Sequence, residues 1–182
     1  MNTSEKRNSV ILCGLPGCGK TVVGRMLAEE LGIAFIDLDD EVEKSAGQSI
    51  AAIFASGGEM YFRVMETVVL LKILNEQRDA VLSLGGGTLV TGSAREAVER
   101  SGIPLVWLRV APQIAAARLE QNGCVDVHPL LKGLRGKKLY NFIAELDEYR
   151  RRNYARADYT IDVDILDARD AALHIREWLR SR

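Results

Sequence analysis

Short apolar runs of strand length alternate along this chain with stretches whose apolar positions recur at helical spacing. "SVILCG" (Ser9–Gly14) reads as a strand, "KTVVGRMLAEELG" (Lys20–Gly32) as a helix stopped by a glycine, and "AFIDLD" (Ala34–Asp39) as a second strand. The same pattern predicts strands at Asp79–Leu84, Ile103–Val110 and Asp158–Val163. Helices are predicted near Glu41 and at Glu59–Gln77, Gly92–Ser101, Pro112–Gln121, Lys137–Ala155 and Ala168–Arg182. This alternation is the signature of βαβ units, so the expected fold class is α/β: a five-stranded parallel sheet wrapped by helices on both faces. One segment breaks the rhythm. "QNGCVDVHPLLKGLRGK" (Gln121–Lys137) is rich in glycine and charge without clear periodicity, and is expected to be a mobile lid over about residues 122–136.

Composition narrows the picture. A chain of 182 residues, 47% hydrophobic, can bury one good core, so residues 1–182 are read as a single domain. Its 24 basic and 25 acidic residues nearly cancel, which argues against attachment to nucleic acid or an anionic membrane through overall charge. Any phosphate binding must then be local. Apolar stretches such as "VVLLKIL" (Val68–Leu74) are interrupted by charge, and "MNTSEKRNSV" lacks an apolar signal core, so a cytoplasmic protein is expected, probing no membrane. Cys13, Cys18 and Cys124 lack the paired spacing of a zinc site and are expected to be reduced thiols, with a redox switch at Cys18 the minor alternative.

The local phosphate site is "GLPGCGKT" (Gly14–Thr21), which fits G-x-x-x-x-G-K-[ST] between a predicted strand and a predicted helix. Glycines let backbone N–H groups turn inward around phosphates, and the helix N-terminus adds positive potential. Lys20 brings an ammonium to the β and γ phosphates, and Thr21 offers a hydroxyl to Mg²⁺. The candidate ATP-binding residues here are Gly17, Cys18, Gly19, Lys20, Thr21 and Val22. The motif leaves the phosphoryl acceptor open.

Other residues bear on the acceptor. "FIDLDD" puts Asp37 and Asp39 at the carboxyl end of the second strand, beside the phosphate loop, where one could reach the hydrated metal and the other an acceptor hydroxyl. Equally, Asp39 or Asp40 could be only the N-cap of the next helix. Arg63 and Glu66 share a helix face, either as an ordinary surface pair or as a guanidinium held ready for an anionic group. "LSLGGGTLV" (Leu82–Val90) carries three glycines that are a loose strand exit, a turn needing positive φ, or a bare wall that a compact ligand can approach.

"GLPGCGKT", "FIDLDDEVEKSAG", "GGEMYFRVMET" and "LSLGGGT", followed by "HPLLKG" and "RRRNYARADY", resemble the shikimate kinase family in order and spacing over essentially the whole chain. The resemblance implies a P-loop NTPase fold of the nucleoside-monophosphate-kinase type. It also implies transfer of a phosphoryl group from ATP to the 3-hydroxyl of shikimate, with Mg²⁺, in a protein that acts as a monomer. By the same resemblance Asp39 contacts the shikimate hydroxyls as base or orienter, with Lys20 the other catalytic residue; Arg63, supported by Glu66, and Arg150 hold the carboxylate. Gly85, Gly86 and Gly87 form a wall of the pocket, with Gly86 the direct contact. Thr21 and Asp37 serve the metal's inner and outer shells, and Arg118 stacks on adenine. For Arg118 an exposed helix arginine, and for the run Arg150–Arg152 a basic helix end, are the plain alternatives. A gluconate-kinase-like enzyme of the same fold and a weakly active regulatory module are the rival functions.

The chain departs from the family at the lid, where His128 stands in "HPLL" at the place of the usual arginine. Imidazole is only partly charged near neutral pH, whereas guanidinium always is. Three readings stay open: His128 acts protonated, Arg135 or Lys132 substitutes, or activity is low. Replacing His128 by arginine is expected to raise kcat.

Overall fold

A computed structural model describes residues 9–76 and 78–182. It contains five short strands: β1 (Val10–Cys13), β2 (Ala34–Asp37), β3 (Ala80–Ser83), β4 (Leu105–Arg109) and β5 (Tyr159–Asp162). All pair in parallel, in the order β2-β3-β1-β4-β5. Central β1 is apolar at every position because helices cover both its faces, and Val10, Ile11 and Leu12 are completely buried. Its register sets Leu12 beside Ser83 of β3 on one side and Val106 of β4 on the other.

The helices are α1 (Lys20–Leu31), α2 (Leu38–Ala46), α3 (Ile50–Asn75), α4 (Gly92–Ser101), α5 (Pro112–Gln121), α6 (Gly136–Tyr154) and α7 (Ala168–Arg180). A single 3₁₀ turn, Thr88–Val90, follows β3. The strand order matters for function because β2, β3 and β1 are neighbours. Their carboxyl ends therefore deliver Asp37, the triple glycine and the phosphate loop side by side, in the crevice where open α/β sheets bind ligands.

The later strands are one or two residues shorter at their ends than predicted, and two boundaries beside the site differ in ways that matter. The third helix begins at Ile50, capped by the Ser49 hydroxyl accepting from the Ala52 N–H, well before Glu59. Gly58, at φ 70° and ψ −176°, kinks it, so the expected start coincides with the break between two helical segments rather than with a first turn. The predicted end at Gln77 lies outside the described residues. The second strand stops at Asp37, two residues earlier than predicted. Asp37, rather than Asp39 or Asp40, is the N-cap of α2: its carboxylate accepts from the Asp39 N–H at 3.1 Å. Asp39 thus sits in the first helical turn, not on the strand.

Between α5 and α6 the chain runs through successive turns, pinned by the buried side chains of Val125 and Leu131. No described helix is long and apolar enough to cross a membrane.

Candidate active site

A cavity of about 500 Å³ opens at the carboxyl edge of the sheet. Gly17, Cys18, Gly19, Lys20, Thr21 and Val22 line it, as do Asp37, Asp39, Gly85, Gly86 and Arg118. Most residues singled out in the sequence therefore meet in one place. The phosphate loop wraps tightly against the fold: Gly17 has φ 81°, and a Cβ there would come within 2.6 Å of the Ala115 carbonyl oxygen. Only glycine meets both demands. Lys20 Nζ curls over the loop, donating to the Gly14 and Leu15 carbonyls at 2.9 and 3.0 Å.

Thr21 and Asp37 come together across 16 residues of sequence, the Thr21 hydroxyl donating to Asp37 Oδ2 at 3.0 Å. A hydroxyl and a carboxylate beside a phosphate cradle are the hard oxygen donors that suit Mg²⁺. No cluster of three or more His, Cys, Asp or Glu able to hold a metal occurs among the described residues. That donor set fits a cation carried largely by phosphate and water.

Asp39 is enclosed deeper in the site. Burial, reinforced by the negative charges of Asp37 and Glu66 and opposed by Lys20 and Arg63, pushes its carboxyl up to about 7. Glu66 is completely buried and fully engaged, accepting from Arg63 Nη1 at 2.9 Å and from the Thr88 hydroxyl at 2.6 Å. The Arg63–Glu66 pair is consequently no ordinary surface bridge: it fixes a guanidinium, with Glu59 holding its other edge at 3.1 Å.

The three glycines lie between these groups. A Cβ on Gly85 would meet Glu66 Oε1 at 2.7 Å and Asp39 Oδ1 at 2.9 Å; on Gly86, Arg150 Nη1 at 2.9 Å; on Gly87, Arg63 Cζ at 2.8 Å. None of the three has a positive φ. The turn-with-positive-φ reading is thereby removed, and the bare backbone serves space: each missing side chain leaves room for a functional one.

Helix α6 supplies Arg150 from a buried stripe of Leu139, Ile143, Asp147, Arg150 and Tyr154. Tyr154, also buried, donates its hydroxyl to the Gly86 carbonyl and hydrogen-bonds the Arg150 side chain. Arg150 is 4% exposed, its Nε has no partner, and among the described residues it makes no ion pair with a carboxylate. A basic helix end would be exposed, as Arg151 and Arg152 are. Arg118, by contrast with a free surface arginine, is tied to the Val163 and Asp164 carbonyls at 2.7 and 3.3 Å on the cavity wall.

Of the three lid candidates, His128 lines the cavity. Arg135 is occupied by Asp126 at 2.5 Å, and Lys132 is exposed. Sequence reasoning missed Thr88, whose only signal was its place directly after the glycines. It also missed the outer wall formed by Asn122, Val163, Leu166 and Ala168, which lie at element ends and in the connections between them and carry no motif.

A parallel sheet, a phosphate loop opening α1, and a carboxylate with paired guanidinium groups at the same edge define a P-loop kinase, an enzyme of phosphoryl transfer. Comparison with known proteins narrows the class: a family model described as shikimate kinase matches residues 16–180. The shikimate kinase of Chlorobaculum parvum is 41% identical over 165 residues, covering 87% of this chain and 86% of that one. That of Moorella thermoacetica is 38% identical over 173 residues, covering 95% of each. The structure of the Acinetobacter baumannii shikimate kinase in complex with shikimate superposes with a TM-score of 0.87, at 33% identity over 97% of this chain and 95% of that one. This chain belongs to the shikimate kinase family.

Proposed function

We propose that the chain transfers the γ-phosphoryl group of ATP to the 3-hydroxyl of shikimate, giving 3-phosphoshikimate and ADP. The observation that carries this reading is Arg150. A guanidinium with almost no exposure and no carboxylate of its own is costly unless an anionic ligand joins it. Arg63 stands across the bare Gly86–Gly87 backbone from it, so a ligand carboxylate between the two receives charge-assisted bonds from both.

The acceptor hydroxyl then faces Asp39, which takes its proton as the new O–P bond forms and the bond to the bridging oxygen of ADP breaks. Burial beside other carboxylates gives Asp39 the raised proton affinity that suits this task. Lys20 and the phosphate-loop N–H groups stabilise charge on the β and γ phosphates. Thr21, in the inner shell, and Asp37, in the outer, would hold Mg²⁺, which supplies neutralisation of phosphate charge. Arg118, anchored through Nη2 by two carbonyls, is the platform for adenine. Residues 122–136 act as the lid. The same reading has the chain work as a monomer in the cytoplasm.

A coupled ADP-release assay with shikimate, quinate, gluconate and no acceptor tests the assignment, and turnover with shikimate alone is expected. Turnover with gluconate but not shikimate would replace it with the gluconate-kinase-like rival, and silence with every acceptor with the regulatory module.

The glycine wall makes a separate prediction. In Gly86→Ala the new methyl displaces Arg150 Nη1, the end of a flexible side chain, so the fold survives while a charge-assisted bond is disturbed. KM for shikimate should rise roughly tenfold or more, and KM for ATP about twofold or less. Equal effects on both substrates, or loss of folding with normal substrate affinity in the residual folded fraction, would assign the glycines to the backbone alone.

A further inference from the structure

His128 sits at a bend of the lid segment, on the wall of the cavity. Its carbonyl accepts from the Leu131 N–H at 2.9 Å, and Leu131 is completely buried in the core. The imidazole lines the cavity, yet its Nδ1 is buried without a hydrogen-bond partner. The charges that bear on it come from three different elements: Arg150 on α6, Lys20 on α1 and Arg63 on α3. All three are positive. In its own segment Asp126 is taken up by Arg135 and by the Gly133 N–H, while Asp37 and Asp39 line the same cavity. Burial first, and then these three cations, push the imidazole down to about 4, so the protein's own charges leave it neutral.

A permanently charged group at this position would add a fourth cation to Lys20, Arg63 and Arg150. A neutral imidazole avoids that repulsion, and anionic substrates reverse the sign of the field around it. We propose that His128 enters the reaction uncharged and takes up one proton from solvent when the anionic substrates fill the space between it, Lys20, Arg63 and Arg150. The lid then presents a cationic contact only in the loaded enzyme. This rests on the phosphoryl-transfer reading above.

The sign follows from linkage. Binding that takes up a proton tightens as pH falls, so substrate affinity declines as pH rises through the loaded-state pKa of His128 and levels off below about 4. The chain has 2 histidines, His128 and His174, so NMR resolves the ring Cε1–H signals, and the one missing in His128→Gln belongs to His128. Titrated in the protein alone, that signal should have a midpoint well below the ordinary histidine range. With magnesium, shikimate and the β,γ-methylene analogue of ATP at saturation, the midpoint should rise by at least about one unit, a tenfold gain in proton affinity. A midpoint near the ordinary value in the protein alone, or one that ligands leave in place, overturns the proposal.

A kinetic measurement reads the same event. Arginine at 128 is always charged, so the kcat ratio of His128→Arg to wild type should grow with pH. A ratio flat in pH counts against proton uptake. Shikimate turnover with an unmoved histidine midpoint overturns this proposal alone, whereas no turnover with shikimate overturns the reading beneath it.

Discussion

Asp39→Asn lowers kcat by about 10²–10⁴-fold, the usual contribution of a positioned base, with KM for ATP nearly unchanged. The replacement keeps the shape of the side chain and its place in the first turn of α2, but removes its ability to accept the acceptor's proton. It also removes one member of the crowded set formed with Asp37 and Glu66. The fold should therefore be at least as stable as wild type, because a half-buried carboxylate crowded by two others is lost. Thermal unfolding measured beside the coupled assay separates the outcomes. A stable variant with kcat within about threefold of wild type would show that Asp39 neither accepts nor orients the hydroxyl, well under the effect of a base.

Arg63→Ala has two separable effects. Glu66 is completely buried and relies on Arg63 Nη1 and the Thr88 hydroxyl, so removing the guanidinium strands a buried charge. Breaking such a pair costs about 3–5 kcal/mol in urea unfolding. Loss of the charge-assisted bond to the ligand carboxylate raises KM for shikimate roughly 10- to 100-fold, with little change for ATP. The double variant Arg63→Ala/Glu66→Gln tells the two apart. Stability should largely return, since an uncharged amide replaces the stranded carboxylate, while shikimate affinity should not. Full recovery of affinity in the double variant would mean that Arg63 serves only to support Glu66.

Much of this site was legible in the chain. "GLPGCGKT" carries its own conformation, because Gly17 and Gly19 adopt φ 81° and 92°, which glycine permits, and its chemistry, because Lys20 and Thr21 follow directly. Short apolar runs bounded by glycine, such as "VILC" before Gly14, read as strands covered on both faces, and the helices followed from apolar positions at helical spacing. Boundaries were less legible where a side chain in one element takes over a backbone bond of the next. Asp37 ends β2 by capping α2, and Gly58 lets two helical segments join through a kink.

What periodicity alone could not reveal was the meaning of single charged residues. Arg63 and Glu66 have the spacing of a surface pair, and Arg150 to Arg152 read equally as a helix end; only packing shows Glu66 sealed and Arg150 buried without a carboxylate. His128 is the sharpest case. The sequence identifies an imidazole in a solvated-looking loop, while its lowered proton affinity comes first from burial and then from Arg150, Lys20 and Arg63, which lie on three elements far apart in the chain. Local residue types and spacings determine strands, helices and the phosphate cradle, because those depend on backbone geometry within a few residues. Which charges share one low-dielectric cavity is decided by the parallel order β2-β3-β1-β4-β5, since only that order brings Asp37, Gly85–Gly87 and Lys20 to one edge, with Arg150 packed against Gly86.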